Sequence, residues 1–175
     1  MGMPEKLRRL LADFGVSEAT YDEWVAGHEA AHAVISHVLG GEVKKISLCG
    51  IDEGGSYSRA TTEWSAAELN GLNLIHVIAA GPAYDNLFAE SIGIPPEFIQ
   101  HVDKDRQTAD EYLRIMLKPE KHGGIPETWE WSIQQMVKSV QEHHADITTI
   151  QVLILDAIAA GQEVITGDQF RQALS

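Results

Sequence analysis

His28 and His32 stand four residues apart in His28-Glu29-Ala30-Ala31-His32. On a helix that spacing puts two imidazoles one turn apart on one face, where both can reach a single divalent cation. Glu29 then projects beside the cation without binding it. From there its carboxylate can take a proton from a water that zinc has acidified. A five-letter pattern in a chain with 8 His and 26 Asp and Glu can arise by chance. The plainer reading is two surface or core histidines on an ordinary amphipathic helix, so the surrounding elements have to decide.

Those elements favour the metal. Thr20 followed three residues later by Glu23 reads as a capping box that starts a helix, and Gly40-Gly41 reads as its stop. Ala30, Ala31 and Ala33 are good helix formers that leave room for an ion and its water. A catalytic zinc also needs a third protein ligand and an open position. The segment Gln100 to Ala109 offers His101, Asp103 and Asp105, and spacing alone leaves all three open.

The rest of the chain is expected to form a helical body around a small sheet. Leu7, Leu10 and Leu11 predict a short helix over Pro4 to Phe14, ended by Gly15. Residues 42 to 49 alternate apolar and polar as a strand. A turn follows at Gly50 to Gly55, and a second strand at Ser56 to Thr62. Ser65 and Glu68 predict the start of a helix through Ala79, which Pro82 should kink or break before it resumes over Ala83 to Glu90. Asp103 to Leu117 reads as a helix. Glu127 to Ala160 reads as one long helix, or two joined near Ala145-Asp146, and Thr166 with Gln169 caps a last short one. The expected fold class is mainly α (α+β), in one domain over residues 1-175, with 1-19 as an N-terminal helical extension.

A net charge of -13 disfavours nucleic acid and anionic membrane surfaces as partners. Cys49 is the only cysteine, so no internal disulfide forms. The N-terminal stretch carries no signal-peptide h-region, and no apolar run is long enough for a membrane span. A cytoplasmic location is expected.

The motif also carries a resemblance. His28-Glu29-Ala30-Ala31-His32-Ala33-Val34 resembles the His-Glu-Ala-Gly-His-Ala-Val of the FtsH-type AAA+ zinc metalloprotease family, with Ala31 in place of glycine. Ala80-Gly81-Pro82-Ala83-Tyr84-Asp85 resembles the family's Gly-Gly-Arg-Ala-Ala-Glu, with Pro82 for the arginine and Tyr84 for a small residue. The family's third zinc ligand is an Asp followed four residues on by Ala, which Asp105 and Ala109 match and Asp103 does not. The resemblance covers about residues 20-174. It implies a zincin-like metal helix, a small β-sheet and a C-terminal helical bundle, without the ATPase or membrane segments. It also implies one zinc ion held by His28, His32 and Asp105, with Glu29 as the general base. The implied activity is cleavage of unfolded or flexible polypeptide, with a homo-oligomer or a separate ATPase chain as expected partners.

Further candidates follow from position. The stretch Gly55, Ser56, Tyr57, Ser58 could present a sheet edge to an extended peptide, or be an edge with no ligand. Asp85 could orient a ligand histidine, or be a solvated carboxylate. His76 faces an apolar stripe, which suits a core residue. Two rival readings remain. One is a non-catalytic zinc-containing protein that binds peptides or a partner. The other is a different HExxH hydrolase, with His101 or Glu111 completing the site.

Overall fold

The computed structural model describes residues 12–51, 57–65, 69, 71–94, 102–116 and 125–175. Most of the helix expected over Pro4 to Phe14 lies outside them. In chain order the elements are α1 (Glu18–Val38), β1 (Glu42–Ile51), β2 (Tyr57–Ser65), α2 (Gly71–Ile92), α3 (Val102–Met116), α4 (Ile125–Glu142), α5 (His144–Ala159), β3 (Val164–Thr166) and α6 (Gly167–Ala173). The described chain is thus mainly helical, with a three-stranded antiparallel sheet.

Helix α1 runs through the centre of the molecule, packing against α2, α5 and the sheet. Its buried residues include Tyr21, Trp24, Ala26, Ala30, Ala33, Val34 and Ile35. The helix starts earlier than Thr20, because the Ser17 side chain accepts the Thr20 N–H at 3.0 Å and caps it. It stops where expected. Gly40, at φ 88°, lets the Gly41 N–H reach back to the Ser36 carbonyl at 2.7 Å.

Strand order is β2-β1-β3, which leaves β2 at an edge among the described residues. The β1–β2 register pairs Lys45 with Glu63, whose side chains meet at 3.1 Å, and Ile46 with Thr62. Strand β3 was not expected, since three residues are too short to show a period. It pairs Ile165 with Ile46 on the other side of β1, burying both.

Of the kink or break expected at Pro82, helix α2 excludes the break. It is one continuous helix from Gly71 to Ile92 with Pro82 inside it. Pro82 supplies no N–H to the helix. The clash that drives the residue before a proline out of the helical region involves its Cβ, and Gly81 has none. Packing against α1 and α4 holds the segment in one helix, with Gly81, Pro82 and Ala83 all buried. The start expected at Ser65 is also corrected, since Ser65 ends β2. Of the two readings of the C-terminal segment, the two-helix one holds: α4 and α5 join at His143, two residues before the expected Ala145-Asp146. The capping box at Thr166 and Gln169 is present.

Among the described residues, no helix is long and apolar enough to cross a membrane.

Candidate metal centre

Three side chains from two helices converge on one point. His28 and His32 come from adjacent turns of α1, and Asp105 comes from the first turns of α3. Their ligand atoms all lie within 4.8 Å of one another. The two Nε2 atoms are 3.0 Å apart, and Asp105 Oδ2 lies 3.2 Å from that of His28 and 3.5 Å from that of His32. Tetrahedral zinc with bonds of about 2.0–2.1 Å would hold its ligand atoms about 3.3 Å apart.

The outer nitrogens fix which atoms face inward. His28 Nδ1 lies 2.9 Å from Asp85 Oδ1, and His32 Nδ1 lies 2.7 Å from the Val77 carbonyl oxygen. Both partners accept, so both Nδ1 atoms donate, and the neutral rings turn their Nε2 lone pairs toward each other. Two lone pairs and a carboxylate oxygen then face one another with no donor among them. Asp105 Oδ2 has no hydrogen-bond partner among the described residues, although it is inaccessible to water. A cation would satisfy all three atoms, so this donor set could hold a metal ion.

Without a cation, protons fill part of the same role. Burial opposes charge on His28, but the Asp85 and Asp105 carboxylates outweigh it and hold its pKa well above the usual imidazole value. Burial likewise opposes charge on His32. Asp105 overcomes that, with the His28 charge against it and Glu29 in support, so the His32 pKa also rises. Burial would raise Asp105, yet the two imidazoles hold it below the ordinary carboxylate range.

Gly81 makes the cluster geometrically possible. A Cβ on this residue would fall 2.5 Å from His28 Nε2 and closer still to His32 Nε2. The α2 backbone therefore forms one wall of the site, and only glycine allows its approach. The Asp105 side is more open, with 21% of that side chain exposed.

Glu29 sits beside the cluster and contacts the sheet. Its Oε2 accepts the Thr62 N–H at 2.6 Å, while the Thr62 hydroxyl donates to the Glu29 backbone oxygen at 3.0 Å. Thr62 thus ties α1 to the edge strand at the residue next to the first histidine. Asp85 is fully buried and reaches His28, as an orienting group would.

The remaining sequence candidates divide. Tyr57 and Ser58 open edge strand β2, whereas Gly55 and Ser56 lie outside the described residues, as does His101. Asp103 falls in α3, but its side chain is not described. Glu111 is exposed on α3 and does not join the cluster. His76 is half-buried, packs its ring 5.6 Å from Trp131 on α4 and does not join the cluster.

Sequence reasoning missed Thr62, Trp24, the Val77 carbonyl and the role of Gly81. Only Gly81 carried a usable signal, as a glycine inside an otherwise apolar helical stretch, which marks a close approach. No protein-family model matches the chain, and no curated protein matches it.

Proposed function

We propose that this protein is a zinc metalloendopeptidase resembling the FtsH-type peptidase domain, cutting peptide bonds in unfolded or flexible polypeptide. The observation that carries the reading is the convergence of His28, His32 and Asp105, with Glu29 one residue from the first ligand. Zinc bound there would supply a Lewis acid for the peptide carbonyl and lower the pKa of water.

The chain's own groups do the rest. Asp85 and the Val77 carbonyl hold the two imidazoles with Nε2 inward. Glu29 takes the proton of the attacking water and returns it to the leaving amine nitrogen. The start of edge strand β2, at Tyr57 and Ser58, receives the substrate as an extended strand, through backbone hydrogen bonds that tolerate many side-chain sequences. Such a site suits segments already unfolded, or unfolded by a separate ATPase chain or within a homo-oligomer.

One observation favours a second reading. The Glu29 carboxylate is already engaged by Thr62 N–H, so its role could be to anchor the sheet in a non-catalytic, metal-containing binding protein. Glu29→Gln separates the two, because glutamine keeps an oxygen to accept from Thr62 but is no base. On the enzymatic reading the variant keeps its zinc and its fold and loses cleavage of casein or a labelled peptide by 100-fold or more, in line with the roughly 10²–10⁴-fold worth of a general base. Chelator-sensitive cleavage that persists in Glu29→Gln removes Glu29 from the mechanism. Absence of cleavage by the zinc-loaded native chain favours the binding protein.

A further inference from the structure

We propose that Trp24 is a positioning residue of the metal centre: its indole N–H fixes the rotation of the Asp85 carboxylate and, through it, the imidazole of His28. This rests on reading His28, His32 and Asp105 as a metal site. Asp85 lies in the α2 segment that walls the site and is completely buried. Its Oδ1 takes two hydrogen bonds, from Trp24 Nε1–H at 2.6 Å and from His28 Nδ1–H at 2.9 Å. Its Oδ2 has no hydrogen-bond partner among the described residues.

A carboxylate held by one oxygen is poorly fixed in rotation, because its terminal torsion is broad and nearly two-fold. Rotation would carry Oδ1 off the His28 Nδ1–H and leave that donor buried without a partner. Trp24 opposes the rotation as a rigid peg. Its ring stacks on Phe88 at 6.1 Å and 17° and meets the Tyr21 ring edge-on at 6.3 Å. Its single N–H has a fixed direction. Trp24 and His28 stand four residues apart on α1, so one helical turn carries both the peg and the ligand, and Asp85 bridges them from α2. A phenylalanine would fill much of the same space, so the residue's contribution to the site is the indole proton.

The test is zinc affinity by chelator competition in the full chain, for the native protein, Trp24→Phe, Asp85→Ala and the double variant, with His28→Ala as the control for the metal site itself. Replacing an outer group that orients a metal ligand typically costs about 10–100-fold in affinity. Trp24→Phe is expected near the lower end, with roughly ten-fold weaker zinc binding. In the Asp85→Ala background the same change should cost nothing further, since no carboxylate is left to orient. A purely packing role would instead give equal losses in both backgrounds and overturn the proposal, as would unchanged or tighter zinc binding in Trp24→Phe. An independent readout uses the native protein alone. The Trp24 indole N–H resonance, assigned by its loss in Trp24→Phe or by selective labelling, should shift on zinc addition. A resonance indifferent to zinc refutes the relay. If native zinc binding is weak and His28→Ala leaves it unchanged, the metal reading itself has failed, a distinct outcome.

Discussion

Gly81→Ala offers a sharp test of the geometry, because its effect on the metal should far exceed its effect on the fold. The added methyl would sit 2.5 Å from His28 Nε2, so one partner must move by about 1 Å to reach ordinary contact near 3.5 Å. Neither imidazole can yield without leaving Asp85 or the Val77 carbonyl. Overpacking a core typically costs about 1–3 kcal/mol, and replacing a helical glycine by alanine returns about 1 kcal/mol. The net loss for the metal-free fold is therefore about 0–2 kcal/mol, or a fall in Tm of at most about 8 °C in a domain of this size.

Zinc is the discriminating variable. Metal bonds tolerate displacements of only about 0.2 Å, far less than the shift the methyl demands. At a zinc concentration 100 times Kd the native fold gains about 2.7 kcal/mol, roughly 5–10 °C. Thermal melts with and without zinc should show that rise in the native protein and its loss in Gly81→Ala, while circular dichroism reports intact helices in both. A Gly81→Ala protein that keeps the full zinc-dependent rise would refute the placement of α2 as a wall of the metal site.

Other outcomes follow from the same geometry. Protons on His28 and His32 must leave before zinc binds, so affinity should fall as pH drops through their raised range, beginning above the ordinary imidazole value of 6.5; isothermal titration at several pH values measures this. Stability of the metal-free protein should run the other way near neutrality. The raised histidine pKa values stabilise the fold below 6.5 and lose that effect as pH rises through them, whereas the lowered Asp105 value stabilises it above 3.8 and is lost as pH falls. Urea melts of metal-free protein should thus peak between those limits, and a maximum at alkaline pH would contradict the assignment. Tyr84, pushed up to about 12 by burial, should lend stability below pH 10 that disappears as pH rises through 12; Tyr84→Phe should abolish that alkaline loss. Gly27→Ala should drive the Tyr84 ring off α1, since the new methyl would overlap it, and lower stability by about 1–3 kcal/mol in denaturant melts.

What the sequence revealed about this molecule follows the range of the interactions concerned. The pairing of His28 with His32 on one helix face, the Gly40 stop and the Thr166 cap are local and were readable. The start of α1 was misplaced by three residues because the Thr20–Glu23 spacing of a capping box pointed to Thr20, whereas Ser17 takes the cap with no Glu or Gln three residues after it. Pro82 misled because a local rule about helix breaking was overridden by burial against two neighbouring helices. Asp105 could not be chosen from spacing, since its partners lie far away in the chain; only the resemblance singled it out. Trp24 with Asp85 and Glu29 with Thr62 are contacts between separate elements, and neither leaves a periodic trace in the sequence.

The central claim is that two histidines of one helix and an aspartate of another bind one zinc ion. Zinc content of the purified native chain and of His28→Ala, His32→Ala and Asp105→Ala, each checked for fold, tests it most directly. The account predicts one tightly held zinc per native chain and a loss of at least about 100-fold in affinity for each variant, as removal of one of three protein ligands implies. Zinc that stays equally tight in Asp105→Ala, or a native chain that binds none, would contradict it.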